Sequence, residues 1–131
     1  MNSSPATFTP KSPLYWLCGA LALGISLVGL LAIFAPQLGS EMFGIPVRAT
    51  DALSWVRLAG VRDIALGLVL FATMTLQQGR TVGILILLSI VIPITDAITV
   101  FLRTGLSDHF LIHACGILYM ISLAVMLLRR Q

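Results

Sequence analysis

Charged side chains are scarce in this chain. Asp, Glu, Lys and Arg make up 10% of its 131 residues, against roughly 25% in an ordinary soluble domain. That scarcity excludes a water-facing surface over most of the length. The formal charge is only +3, and the basic residues gather near the ends of apolar runs. No basic stripe of the kind that follows a nucleic acid is present, and no nucleic-acid partner is expected. Cysteine is limited to Cys18 and Cys115, with no Cys-x-x-Cys, which argues against a thiol–disulfide enzyme. On antiparallel helices the two thiols fall at different depths and cannot bridge, so both are expected to be buried packing residues. Histidine is limited to His109 and His113. One or two histidines without a clear carboxylate partner do not make a metal centre, so no metal and no cofactor are expected. No internal repeat is visible, and the first two apolar runs do not share a polar pattern with the last two. An inverted-repeat transporter is therefore unsupported by this chain alone.

What the chain has instead is apolar length: 58% of its residues are hydrophobic, in four long runs, about Leu14–Phe34, Leu53–Leu76, Thr81–Leu102 and Phe110–Leu128. Each approaches the roughly 20 residues that a helix needs to cross a bilayer core of about 30 Å. The reading is an all-α, four-span transmembrane bundle running up-down-up-down, with residues 1–131 as a single integral membrane domain. The first run is too long for a signal-peptide core, and "IFAPQLGS" offers no clean small-x-small cleavage site, so it is expected to be a true span.

The connections follow from local chemistry. Met1 to Lys11 is polar with two prolines and is expected to be a loose tail. Ser12-Pro13 reads as a helix start, with a serine cap and a proline whose missing N–H costs nothing there. Tyr15 and Trp16 suit a membrane interface. Ala35-Pro36 ends the first span, because the residue before proline disfavours helix. A loop is expected from about Ala35 to Ala52, with Phe43 and Ile45 resting on the bilayer or covering the bundle, and Thr50 or Asp51 capping the second span. The short Gln77–Arg80 and Thr104–Ser107 connections make antiparallel neighbours, with Ser107 or Asp108 capping the fourth span. Lys11, Arg80, Arg129 and Arg130 then share one side, against Arg48 and Arg103 on the other. The positive-inside rule places both termini in the cytoplasm, of a plasma or bacterial inner membrane.

Inside this apolar frame stand a few charges. "AGVRDIALGL" sets Arg62 and Asp63 about 15 Å into the second span, near the bilayer middle. Arg57 lies nearer the surface, where it can snorkel. Span three adds Asp96, and span four adds His113, a turn below His109. An Arg or Asp at a helix centre costs about 2.5–3.5 kcal/mol on insertion scales, so Arg62, Asp63 and Asp96 are expected to face into the bundle and pair. Gly60, Asp63 and Gly67 share a helix face; the glycines would admit a neighbouring backbone and bring a partner to Asp63. Arg62 is rotated about 100° from Asp63, so the two are expected to reach different helices rather than each other. Pro93 removes an N–H, frees the Ser89 carbonyl and predicts a kink. Such backbone is tolerated only in protein or beside a wet cavity, and Asp96 follows three residues later.

Taken together, "FAPQLGSEMFGIP", "RLAGVRDIALGL", "IPITDAITV" and the histidine of "IHACGILYM" resemble a small four-helix membrane family, domain of unknown function 4267. The resemblance covers nearly the whole chain and implies the four-span topology. Its motif positions here are Arg62, Asp63, Asp96 and His113, with Arg57 a looser match; it implies no reaction.

Three functions compete. In one, Arg57, Arg62, Asp63, Asp96 and His113 form a buried polar centre that is mainly structural, or part of an assembly with a partner membrane protein. In the second they bind an apolar small molecule such as a lipid, quinone or terpenoid, with Asp63 or Asp96 as proton donor and His113 as base. The third is a small oligomeric proton-coupled transporter, similar to small multidrug exporters in size and span count. It is the weakest, because the first span lacks the carboxylate such exporters use. Gly19, Gly24 and Gly29 make no clean Gly-x-x-x-Gly, so self-association by that route is poorly supported.

Overall fold

A computed structural model describes residues 8–129. They form six helices: α1 (Pro13–Phe34), α2 (Pro36–Phe43), α3 (Thr50–Thr75), α4 (Gly79–Ser89), α5 (Val91–Thr104) and α6 (Asp108–Arg129). α4 and α5 make one span broken at Ile90, and with α1, α3 and α6 they give four helices long and apolar enough to cross a membrane. The break is the expected effect of Pro93, which offers no N–H to the Ser89 carbonyl. The helical segments begin one to three residues before the apolar runs, since polar ends such as Thr50 and Asp108 still take helical geometry, while α3 stops one residue short of Leu76.

The spans pack as two antiparallel pairs, α1 with α3 and α4–α5 with α6. The first pair is held by very close backbone approach. A Cβ placed at Gly60 would come within 2.6 Å of the Gly29 carbonyl oxygen, and one at Gly67 within 2.9 Å of the Ala22 carbonyl oxygen and against Ser26. Small residues thus replace side-chain interdigitation, the usual solution where lipid removes the hydrophobic drive for helix association.

Besides the separately buried Ala32, Leu53, Ala97 and Val100, the main apolar core lies in the half of the bundle that holds the chain ends and the α3–α4 turn. There Leu14, Cys18 and Ala22 of α1, Leu70 and Met74 of α3, Val82 and Ile86 of α4 and Met120, Leu123 and Leu127 of α6 close on one another. Phe8 belongs to this core and stacks beside Tyr15 at 5.2 Å. The expected loose tail is therefore corrected over Phe8–Lys11: its one large aromatic plugs the end of the bundle, and Trp16 Nε1 donates to the Pro10 carbonyl at 2.8 Å. The rest of that expectation, residues 1–7, lies outside the described residues, as does Arg130. Cys18 is buried and Cys115 exposed, both as free thiols; Cys115 is not the packing residue expected, because its side of α6 faces outward.

Capping differs from expectation at two of three helix starts. α1 begins with Pro13 but Ser12 makes no side-chain cap bond, and α3 begins after Ala49 with none either. α6 is capped as expected, the Phe110 N–H donating to Ser107 Oγ at 3.3 Å. Within the spans most hydroxyls bond backward to their own helix: Ser26, Thr73, Thr95, Thr99 and Ser122 each donate to the carbonyl four residues earlier. Each thereby satisfies a polar group that lipid would not.

Candidate functional site

The half of the bundle away from the chain ends is built differently. There α1 turns at Ala35-Pro36 into α2, which folds back on α1 so that Gly39 lies against Ala32. The residues between the first two long spans are thus not a plain loop as expected. Proline at the first helical position, Gly44 just past the last and Pro46 beyond it are start and stop signals that the sequence does carry. Gly44 takes φ 98°, the left-handed region that glycine enters without strain.

The carbonyls at the end of α2 are all accounted for. Ser40 O accepts from the Ile45 N–H and Glu41 O from the Gly44 N–H, both at 3.1 Å, the paired bonds of a Schellman turn. Met42 O accepts from His109 Nδ1 at 3.1 Å and Phe43 O from His113 Nε2 at 3.2 Å. A carbonyl only accepts, so these ring nitrogens carry hydrogen, which leaves His113 Nδ1 as the basic nitrogen of the neutral ring. The Phe43 ring meets the His113 ring edge-on at 4.9 Å. Ser40, buried, accepts from the Val47 N–H at 3.2 Å and fixes the strand of chain leaving the turn.

Below this cap stand the carboxylates. Asp63 is midway along α3 and half-buried; Arg62 beside it is largely exposed. Their expected divergence is corrected. Arg62 Nε donates to Asp63 Oδ1 at 3.0 Å, and Nη2 lies 2.9 Å from the same oxygen. The long guanidinium arm wraps the 100° back around its own helix, because the neighbour that approaches this face, α1, brings glycine and alanine rather than charge. Asp96 is half-buried on α5, within electrostatic range of Arg62, His113 and Asp63. Among the described residues no donor bonds it, and the Arg62–Asp63 bridge is the one ion pair. Arg57 is exposed and outside that pair.

Arg62 and Asp63 are thus joined directly, Asp96 on α5 feels Arg62, His113 and Asp63 at longer range, and Arg57 makes no ion pair among the described residues. By helical rise His113 is about 8 Å from its helix end on this side, Asp96 about 12 Å and Asp63 about 20 Å. α3 makes little direct contact with α5. Among the described residues no group of three or more His, Cys, Asp or Glu is arranged to hold a metal ion. Chemically, the region offers one carboxylate without a partner, one basic ring nitrogen and a guanidinium already engaged.

Sequence reasoning singled out His113 but not His109, whose role is visible only once α2 is in place. Neither a curated protein nor a solved structure matches the chain. A family model described as a domain of unknown function (DUF4267) matches residues 22–127, which span most of α1, all of α2 to α5 and nearly all of α6, with every candidate residue inside. The chain belongs to that family of small membrane proteins, the domain of unknown function DUF4267.

Proposed function

We propose that the Asp96 region between α3 and α5 is a membrane-embedded binding site for an amphipathic small molecule whose polar end donates hydrogen bonds or carries positive charge. The observation that carries this reading is Asp96: a half-buried carboxylate inside a span, with no donor among the described residues. A purely structural network would satisfy every charge across helices. Here the one ion pair joins neighbours on the same helix and ties nothing together. Arg62 and Asp63 neutralise each other, which leaves the region one negative charge to be met. A long-chain amine, or an alcohol of lipid, quinol or terpenoid type, has both the apolar body for the lipid-facing region and the donor for Asp96. His113 Nδ1 accepts a second hydrogen bond from the same head group. A structural role falls to His109 Nδ1 and His113 Nε2, whose bonds hold the backbone of α2.

The chain is further proposed to act as one integral membrane domain over residues 1–131. Both termini lie in the cytoplasm of a plasma or bacterial inner membrane, since Lys11, Arg80 and Arg129 fall on the side of the chain ends.

The test is the thermal midpoint of the purified chain in neutral phosphatidylcholine nanodiscs with sphingosine, oleyl alcohol or oleate added. A ligand at a hundred times its Kd stabilises by about 2.7 kcal/mol. Sphingosine is expected to raise the midpoint most and oleate least, with the gain lost in Asp96→Asn. Equal shifts by all three that survive Asp96→Asn would mean partition into lipid and would overturn the site.

A further inference from the structure

We infer that α2 is a latch over the Asp96 region, held shut by the two histidines of α6. Three side-chain hydrogen bonds among the described residues cross from one helical pair to the other. Tyr119 Oη donates to the Leu17 carbonyl at 2.8 Å, in the half that also has the apolar core. The other two are His109 to Met42 O and His113 to Phe43 O, in the half without that core. α2 itself rests on α1 and α3. The histidine bonds therefore join the first pair to the second in the half outside the main apolar core.

The joint is built for this contact. The last two carbonyls of α2 have no partner in their own turn, because the Schellman bonds use the two before them. In a membrane interface an unpaired carbonyl is costly, so the histidines and the α2 end require each other. Gly44 makes the fit possible. A Cβ there would lie 2.7 Å from His109 Cβ, in a backbone conformation that already disfavours alanine. The exposed side of α2 is amphipathic, with Leu38 and Met42 beside Gln37 and Glu41, so a released α2 has the lipid interface as its resting place. Opening separates the pairs above Asp96; closure seals the region from that side. As a gate the latch rests on the proposed ligand site, but its closure does not.

The test measures a distance without ligand. Spin labels on Cys115, exposed on α6, and on L38C, exposed on α2, in a C18A background, report α2 against α6 by pulsed electron resonance in nanodiscs. The parent is expected to give one narrow distance. H109A/H113A is expected to lose it to a broader, longer distribution. H109N/H113Q places an amide N–H where each ring N–H stood and is expected to keep the parent distance. An unchanged distance in H109A/H113A overturns the latch, as does opening of H109N/H113Q to the same extent, which would assign the contact to ring packing. Where the double alanine variant is not monodisperse, G44A carries the same expectation of opening, and an unchanged distance there overturns it. If the distances open as expected while Asp96→Asn leaves the sphingosine shift intact, the latch stands and the ligand site falls.

Discussion

Near the chain ends, Leu123 and Leu127 of α6 close with Ile86 and Val82 of α4 against Leu14, Cys18 and Met74, and Phe8 seals the bottom. In the opposite half the same spans meet through Gly29, Ala32 and Gly60, a short helix, two histidine bonds and a set of charges. The first region is redundant, since many dispersion contacts each contribute a little. The second depends on a few specific contacts, and it is where the carboxylate without a donor lies. Protein regions that bind and move are drawn from the less cross-braced parts of a fold. On the proposed reading, stability belongs to one half and ligand binding to the other.

Substitutions in the first half should therefore have the largest effects. Leu123→Ala, at a fully buried position, is expected to cost about 2–5 kcal/mol, read as a lower midpoint in detergent or as earlier unfolding in a denaturant series. An effect within the noise would mean that the apolar core is not the main fastening.

The glycine seam between α1 and α3 comes next. Gly60→Ala forces a methyl into the Gly29 carbonyl and should cost about 1–3 kcal/mol as an overpacking strain. Gly24→Ala is its control: nothing lies within 4 Å of that Cβ, and a change within about 0.5 kcal/mol is expected. Equal losses at both positions would point to insertion or lipid packing rather than to the seam, since alanine is the better helix former.

Smaller still is Asp63→Asn. It removes the one ion pair, but both partners share a helix and Arg62 is 44% exposed. Partly exposed pairs of this kind contribute up to about 1 kcal/mol. A much larger loss would mean that Arg62 and Asp63 brace the bundle after all.

Much of the helical frame is legible in the sequence, because span length and apolar content are continuous properties that many residues vote on. The four spans, the antiparallel neighbours, the Pro93 break and the Ser107 cap follow from length, short turns and one missing N–H. The glycine face of α3 is legible too, although not that α1 is the helix it admits. The second half depends on single contacts. Whether Arg62 curls back to Asp63 or reaches outward is a matter of rotamers and of what the neighbouring helix brings, which helical phase does not encode. α2 was signalled by Pro36 and Gly44, yet eight residues between long spans read easily as loop. His109 carries no signal of its own in the sequence; its role appears only where the end of α2 supplies a carbonyl for its ring. The family match to residues 22–127 carries the topology and leaves these contacts to geometry.

The most direct test of the division is Asp96→Asn. If Asp96 belongs to a binding region and holds no helices together, its unfolding midpoint in detergent should equal or exceed the parent's, since neutralising an unpaired intramembrane carboxylate removes a cost and breaks no bond. A loss of about 3–5 kcal/mol, the effect of breaking a buried ion pair, would contradict the account and make the charges part of the scaffold.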